Sequence, residues 1–280
     1  MPDNPPITIG QFLSESTERL RNAGIESSRL DCLILLEDEL ETNRANILAH
    51  MEQALTEKQI VRLNSAVKRR TNREPLSYIR HKVEFYGREF HVSKNVLTPR
   101  PETEGIIELL LNNCLELHSD NQYIYVADVG TGSGCIGITV AIELPKAKVD
   151  LYDIDKDALD VAVINANIYE TRLNIYNDDL LTNANDRKYD IIVTNLPYVP
   201  KNQTLSEEAT FEPEHAIFSG SDGLDLYRKF WQQIRELKSH PTYIISESQP
   251  DQHNDMDKIA QEVGYKLIKT SNFAQLFKLN

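Results

Sequence analysis

The sequence predicts an α/β protein: a small N-terminal helical bundle, a connecting β-hairpin, and a parallel, doubly wound sheet. Three observations predict it. Up to about Arg73, apolar residues recur every three or four positions. Between Val83 and Val92, two aromatic and β-branched runs flank Gly87. Beyond Asp120, short apolar runs alternate with helical stretches, the pattern of βαβ units. A chain of 280 residues, 40% hydrophobic and 26% charged, has room for one large domain or two unequal ones. The expected division is a bundle over 1–78, a hairpin linker over 79–97 and a sheet domain over 98–280.

In the bundle, Leu13, Leu20, Leu30, Leu33, Ile34, Leu36, Leu40, Ile60, Leu63 and Val67 carry the helical rhythm. Asn22-Ala-Gly24 reads as a helix end, because Gly enters the left-handed cap conformation most easily. Thr56, with Gln59 three residues on, reads as a helix start. Glu74-Pro75 breaks the pattern. Two prolines in Thr98-Pro-Arg-Pro-Glu-Thr103 then bar a helix until they are passed, and a helix is expected from about Glu102 to Leu117. Tyr123–Asp128, Lys148–Tyr152, Tyr189–Thr194 and Thr242–Ser246 are the strand candidates. The helices Ile136–Leu144 and Asp157–Tyr169 lie between the first three.

Composition excludes several classes. The 30 basic against 43 acidic residues give a net charge of −13, which opposes a general nucleic-acid coat. The charge is uneven: residues 1–100 carry a net +1 and the remaining 180 a net −14. Three cysteines without C-x-x-C spacing imply neither a disulfide framework nor a zinc site. Scattered histidines give no metal-ligand spacing, so no metal is expected. Met1–Pro6 lacks a basic region followed by an apolar run, and no stretch is long and apolar enough to span a bilayer. A cytoplasmic protein without a membrane partner is expected. Lys68-Arg-Arg70, Arg73, Arg80, Lys82 and Arg88 form a basic stretch, read first as a solvated helix face and second as a contact for an acidic protein or RNA. There is no G-x-S-x-G elbow or Walker A loop.

The chemistry concentrates in three places. Asp128-Val-Gly130-Thr131-Gly132-Ser133-Gly134-Cys-Ile-Gly137 follows a strand and opens a helix, where α/β sheets bind ligands. Gly132 to Gly137 fits the G-x-G-x-x-G dinucleotide fingerprint, while Gly130 to Gly134 fits the G-x-G-x-G of S-adenosylmethionine (SAM) binders. Simple helix–strand packing is the bland reading. Asp153, at a strand end, can accept hydrogen bonds from both ribose hydroxyls, with Asp155 as rival. Asn195-Leu196-Pro197-Tyr198 follows the third strand and favours SAM. The Asn195 side-chain oxygen and the Leu196 carbonyl can each accept a hydrogen of a planar NH2 group, and Tyr198 can stack on it. Such a corner would hold a nitrogen in line with a sulfonium methyl. The plain alternative is an Asn-Pro turn with a packed Tyr.

These residues bring a family into view. The sequence resembles the HemK/PrmC family of protein-(glutamine-N5) methyltransferases, which modify peptide chain release factors. Val83–Gly87, Leu97–Glu104, Asp128–Gly134 and Glu212–Arg228 carry the resemblance, most specifically Pro99-Arg-Pro-Glu102 and Glu212–Arg228. It implies a Rossmann-like class I SAM-dependent methyltransferase domain behind a helical domain that recognises the substrate protein. It also implies that Gly130 to Gly134 wrap the methionine part of SAM, that Asp153 holds the ribose, and that Asp179 and Leu180 flank the adenine. Asn195 to Tyr198 would bind the side-chain amide of a glutamine in the GGQ motif of a release factor.

The chain departs from the family at Leu196, where the family has Pro, giving an Asn-Leu-Pro-Tyr that is similar to the site of rRNA adenine dimethylases. It departs again at Gln249, where Gly is usual, and in the C-terminal Phe273–Asn280. Rival readings are an N-methyltransferase of nucleic acid and an inactive SAM-binding scaffold. The acidic C-terminal part speaks against the first, and stable nucleic-acid binding is not expected.

Overall fold

The computed structural model describes residues 6–114 and 123–280. It divides into two compact units. One runs up to His81 and takes in Ser206–Phe211; the other comprises Lys82–Leu205 and Glu212–Asn280. The hairpin, expected as a linker of its own, belongs to the second unit. A segment from far along the chain belongs to the first.

The first unit holds α1 (Ile9–Asn22), α2 (Ser28–Leu40), α3 (Arg44–Ala49), α4 (Glu57–Thr71) and α5 (Leu76–Arg80). Both α1 and α4 begin with capping boxes, Thr8 with Gln11 and Thr56 with Gln59, which satisfy backbone donors that a helix start leaves open. Leu13, Leu20, Leu33, Leu36, Leu63 and Val67 form the core. Leu30, expected with them, is 45% exposed, while Leu35 and Cys32 are buried. The apolar run of α2 is wider than one face, so periodicity alone cannot choose among its members. Part of the inward face is taken by a charge. Asp31 meets Arg70 Nε at 2.7 Å with both side chains under a tenth exposed.

The basic stretch is largely neutralised. Arg69 pairs with Glu74, Arg73 with Glu207, Arg80 with Asp38, and in the second unit Arg88 with Glu143. Apart from Glu74, which follows soon after Arg69, each of these carboxylates lies too far along the chain to anticipate.

In the second unit, β1 (Lys82–Phe85) and β2 (Arg88–His91) form the expected antiparallel hairpin. Tyr86 and Gly87, with φ of 50° and 70°, make the turn, a geometry whose twist matches the flanking strands. A 3-10 turn at Pro101–Thr103 leads into α6 (Glu104–Asn113). The expected end of that helix at Leu117 lies outside the described residues. Then follow β3 (Ile124–Val129), α7 (Cys135–Glu143), β4 (Ala147–Asp153), α8 (Lys156–Ile168), β5 (Asn174–Asn177) and β6 (Ile191–Thr194). The last elements are α9 (Asp225–Glu236), β7 (Tyr243–Glu247), α10 (His253–Gln261), β8 (Tyr265–Ser271) and β9 (Ala274–Leu279).

The sheet order is β5-β4-β3-β6-β7-β9-β8. Strands β5 to β7 are parallel, while β9 is antiparallel to both its neighbours. The purely parallel expectation is corrected at this edge. Only Asn272 and Phe273 join β8 to β9, and so short a link can only reverse the chain.

Alternation along the strands divides the interior. Val126, Ile191, Val193 and Ile245 face a core with α6, α7 and α8; Ala127, Ile192 and Ile244 face one with α9 and α10. Both faces are covered, which is why these strands read as continuous apolar runs.

Register then builds the site. Val129 lies opposite both Tyr152 and Thr194, and Thr194 lies opposite Ser246. The next residue on each strand is therefore in one row along the carboxyl edge: Gly130, Asp153, Asn195 and Glu247. The strand order reverses between β3 and β6, the place where doubly wound sheets open a crevice.

Candidate active site

The glycine turn is held by the chain's own groups. Asp128, fully buried, accepts the Thr131 hydroxyl at 2.6 Å and the Gly137 N–H at 2.9 Å through Oδ2. Burial pushes its carboxyl up to about 6 despite these bonds. Gly130 and Thr131 both donate to the Tyr152 carbonyl at 2.9 Å, tying the loop to β4. Gly130 has φ +72°, and a Cβ there would stand 2.8 Å from Leu196 Cδ2. A side chain at this position would be strained by the backbone conformation and would have to displace the end of the Leu196 side chain. At Gly132, by contrast, a Cβ would meet open space, so the loop's tip borders a void.

That void is a cleft of about 990 Å³, its solvent mouth included. Gly130 to Ser133, Asp153, Asp178 to Leu180 and Asn195 to Pro197 all border it. Three separate sequence signals thus meet at one cavity. Gly134 stands behind it as the cap of α7.

Asp153 accepts the Gly132 N–H at 2.8 Å and the Asp155 N–H at 3.0 Å, one on each oxygen. Burial raises its carboxyl above the ordinary range, and the two N–H groups oppose that. Its rival Asp155 is engaged otherwise. It caps α8 through the Asp157 N–H and meets His215 Nε2 at 3.2 Å. The Asp179 carboxylate pairs with Lys229, so this residue borders the cleft with its charged end directed to α9. Asp178 braces the same loop by accepting the Asn183 N–H at 2.8 Å. Leu180 sits at φ 57° with its side chain buried.

The corner after β6 is braced on several sides. Asn195 Nδ2 donates to Thr103 Oγ1 at 3.1 Å. The Leu196 N–H donates to the Tyr227 hydroxyl at 3.3 Å, and that hydroxyl donates in turn to the Glu247 carbonyl. A proline at 196 would have no N–H to give. Leu196 replaces ring rigidity with this bond and with packing of its side chain over Gly130. The Tyr198 carbonyl accepts Gln252 Nε2 at 2.8 Å, and its hydroxyl donates to Glu247 Oε1 at 2.9 Å. Asn195, Leu196 and Pro197 border the cleft, with Tyr198 behind them.

Two segments that carried the resemblance meet here. Arg100 pairs with the buried Glu212 at 2.5 Å, and the Thr98 N–H donates to the other Glu212 oxygen at 3.3 Å. Sequence reasoning named both segments without seeing that one holds the other. It did not single out Thr103, Tyr227, Glu247 or Gln252. Only the position of Glu247 at the end of an apolar strand hinted at a role.

The cleft suits a nucleoside ligand carrying a sulfonium. Its wall holds three aspartates, of which Asp179 is paired with Lys229, while its arginine, Arg100, is already spent on Glu212. A pyrophosphate would meet acid there without a free guanidinium; a cation meets complementary charge. Among the described residues no cluster of His, Cys, Asp or Glu could hold a metal, and no helix is long and apolar enough to cross a membrane.

Comparisons with known proteins agree. Residues 11–80 match the family described as PrmC N-terminal domain, and residues 107–212 match the methyltransferase small domain. The release factor glutamine methyltransferase of Bacillus subtilis (strain 168) is 36% identical over 245 residues, covering 86% of this chain and 84% of that protein. The one from Koribacter versatilis (strain Ellin345) is 38% identical over 234 residues, covering 82% of each. Among solved structures, the hMettl16 catalytic domain in complex with the MAT2A 3'UTR hairpin 6 aligns with a TM-score of 0.53 at 12% identity, covering 80% of this chain and 82% of that one. This last likeness concerns the fold alone. With a Rossmann-like sheet, a cleft fitted to SAM and relatives at this level of identity, the chain is a class I SAM-dependent methyltransferase and belongs to the release factor glutamine methyltransferase family.

Proposed function

We propose that the protein transfers a methyl group from SAM to the side-chain amide nitrogen of a glutamine in a peptide chain release factor. The observation that carries this reading is the shared cleft: Asn195, Leu196 and Pro197 border the same cavity as the glycine turn and Asp153. SAM supplies an electrophilic methyl on a positively charged sulfur. Gly130 to Gly134 would lie against its methionine part, Asp153 would accept the ribose hydroxyls, and Asp179 and Leu180 would flank the adenine. With the Asp179 carboxylate on Lys229, the share of Asp179 falls to its backbone.

An amide nitrogen is a poor nucleophile because its lone pair is delocalised. The Asn195 side-chain oxygen and the Leu196 carbonyl would each accept one of its hydrogens. These bonds strengthen as the nitrogen turns acidic in the transition state, which favours that state over the ground state. A carbon–nitrogen bond forms, the carbon–sulfur bond breaks to leave the neutral thioether of S-adenosylhomocysteine, and the amide proton passes to water. Tyr198, behind the cleft wall with its hydroxyl on Glu247, would brace the corner instead of stacking on the amide plane, and the N-terminal helical unit would recognise the release factor. We place this chemistry in the cytoplasm, where release factors act.

Incubation with methyl-labelled SAM and, in parallel, unmethylated release factor, rRNA and DNA tests the reading. Label in a glutamine of the release factor is expected. Label confined to nucleic acid would replace the proposal with an amine methyltransferase, and SAM binding without transfer to any of the three would support an inactive scaffold.

A further inference from the structure

Glu247 is the last residue of β7, one strand over from the Asn195 corner, and its side chain is 1% exposed. One carboxyl oxygen, Oε1, accepts the Tyr198 hydroxyl at 2.9 Å. The other, Oε2, is buried without a hydrogen bond among the described residues. A buried carboxyl with a spare acceptor is costly to keep. Its surroundings are the amide corner itself. Burial raises the carboxyl above its ordinary range and Glu102 adds to the rise, while Thr103, Tyr198 and Asn195, all facing it, oppose this and favour the charged form.

The chemistry of Asn195 explains what such a neighbour is for. The two ends of its planar amide are nearly equal in size but opposite in function: one accepts, the other donates. Accepting a hydrogen from a substrate amide requires Oδ1 toward the cleft and Nδ2 away from it. Thr103 Oγ1, which receives Nδ2 at 3.1 Å, cannot enforce this choice, because a hydroxyl could equally donate to Oδ1 after a flip. In its ionised form, which Thr103, Tyr198 and Asn195 favour, the Glu247 carboxylate only accepts. It attracts Nδ2 and repels Oδ1.

We propose that Glu247 is a positioning residue that fixes the orientation of the Asn195 amide, keeping its donor end inward and its acceptor end toward the cleft, while its other oxygen anchors Tyr198. The inference rests on the reading of Asn195 as the group that accepts the substrate N–H. Glu247 is absent from the cleft wall, so it acts through Asn195 and Tyr198 rather than on the substrate.

The test separates charge from shape. Glu247→Gln keeps the volume and one acceptor but adds a donor that can bond to a flipped Asn195. Glu247→Asp changes the shape and keeps an acceptor-only charge. Methyl transfer from labelled SAM to release factor is measured for the full chain, with SAM Kd and thermal unfolding recorded for each variant. The expected order of kcat is wild type, then Asp, then Gln, with Gln lower by roughly 10- to 100-fold, the range for misplacing one transition-state hydrogen bond, and KM for the release factor within about 3-fold. In an Asn195→Ala background, Glu247→Gln should lower kcat by less than about 3-fold more, since the group it orients is gone.

A Gln variant as active as wild type, a Gln variant more active than Asp, or losses that multiply with Asn195→Ala would each overturn the proposal. If the Gln variant does not fold, the same cycle on Glu247→Asp decides, with multiplying losses again fatal. Failure of the underlying reading looks different: Asn195→Ala alone would then transfer methyl as well as wild type does.

Discussion

Single residues set what the cleft can do, and the separate roles of Asn195 and Asp153 are measurable. Asn195→Ala should lower methyl transfer by ~100-fold or more, the scale of removing one transition-state hydrogen-bonding group, while SAM affinity falls less. Equal losses in both would make Asn195 a cofactor holder instead. Asp153→Ala should do the reverse, weakening SAM binding first in a calorimetric titration; an unchanged Kd would return the ribose to another group.

Asp128 gives a pH prediction whose sign follows from its burial. Its carboxyl is raised from 3.8 to about 6 in the folded chain, so between those values the folded state holds a proton that the unfolded state has lost. This contribution to stability is present below about pH 4 and is lost as pH rises through 6, by about 3 kcal/mol in all. Asp128→Asn cannot titrate. The difference in unfolding free energy between wild type and variant should therefore shift in favour of the variant from pH 4 to pH 7. A constant difference would show that the carboxyl keeps an ordinary value in the folded chain.

Between elements, the connection that matters most joins the two-proline segment to Glu212. Glu212 is buried to 4% exposure and is held by Arg100 and the Thr98 N–H. Arg100→Ala would leave that carboxylate without its cation. A loss of roughly 3 kcal/mol is expected, toward the lower end for breaking a buried pair because Arg100 itself is partly solvated. Chemical denaturation checks this, and Arg100→Ala with Glu212→Gln should recover part of the loss. An additive double variant would mean that the two side chains are not coupled. The same segment supplies Thr103 to Asn195, so the pair braces the approach to the corner as well as the fold.

At the scale of the whole molecule, each unit has its own interior. The helical unit is centred on Leu13, Leu36 and Val67, and the sheet unit has its two covered faces. Arg70 is the ionic centre of the first, meeting Asp31 at 2.7 Å and Glu208 at 3.3 Å. Arg70→Ala should destabilise that unit by roughly 3–5 kcal/mol, since it strands a buried carboxylate. SAM affinity, a property of the second unit, should stay within about 2-fold. Hydrogen exchange resolved by segment would show the loss; faster exchange spread equally over the sheet would mean that the units do not open separately.

The order of elements was determined by the sequence itself, because local rules act over a few residues. Capping boxes at Thr8 and Thr56, a two-residue turn at Tyr86-Gly87 and apolar strands followed by glycine or acid are all short-range signals. The glycine turn, Asp153 and the Asn195 corner were legible for the same reason: each sits at the carboxyl end of a strand, and parallel register brings such ends together. Partnerships across the chain were left to the tertiary structure. Leu30 turned outward because α2 offered more apolar residues than its buried face could use. The basic stretch found carboxylates, Lys229 took the Asp179 side chain, and β9 ran antiparallel to both β7 and β8. Glu247 came to lie behind an asparagine 52 positions earlier in the chain. No pattern in the sequence carries such distances, since which side chains meet is fixed only when separate elements pack.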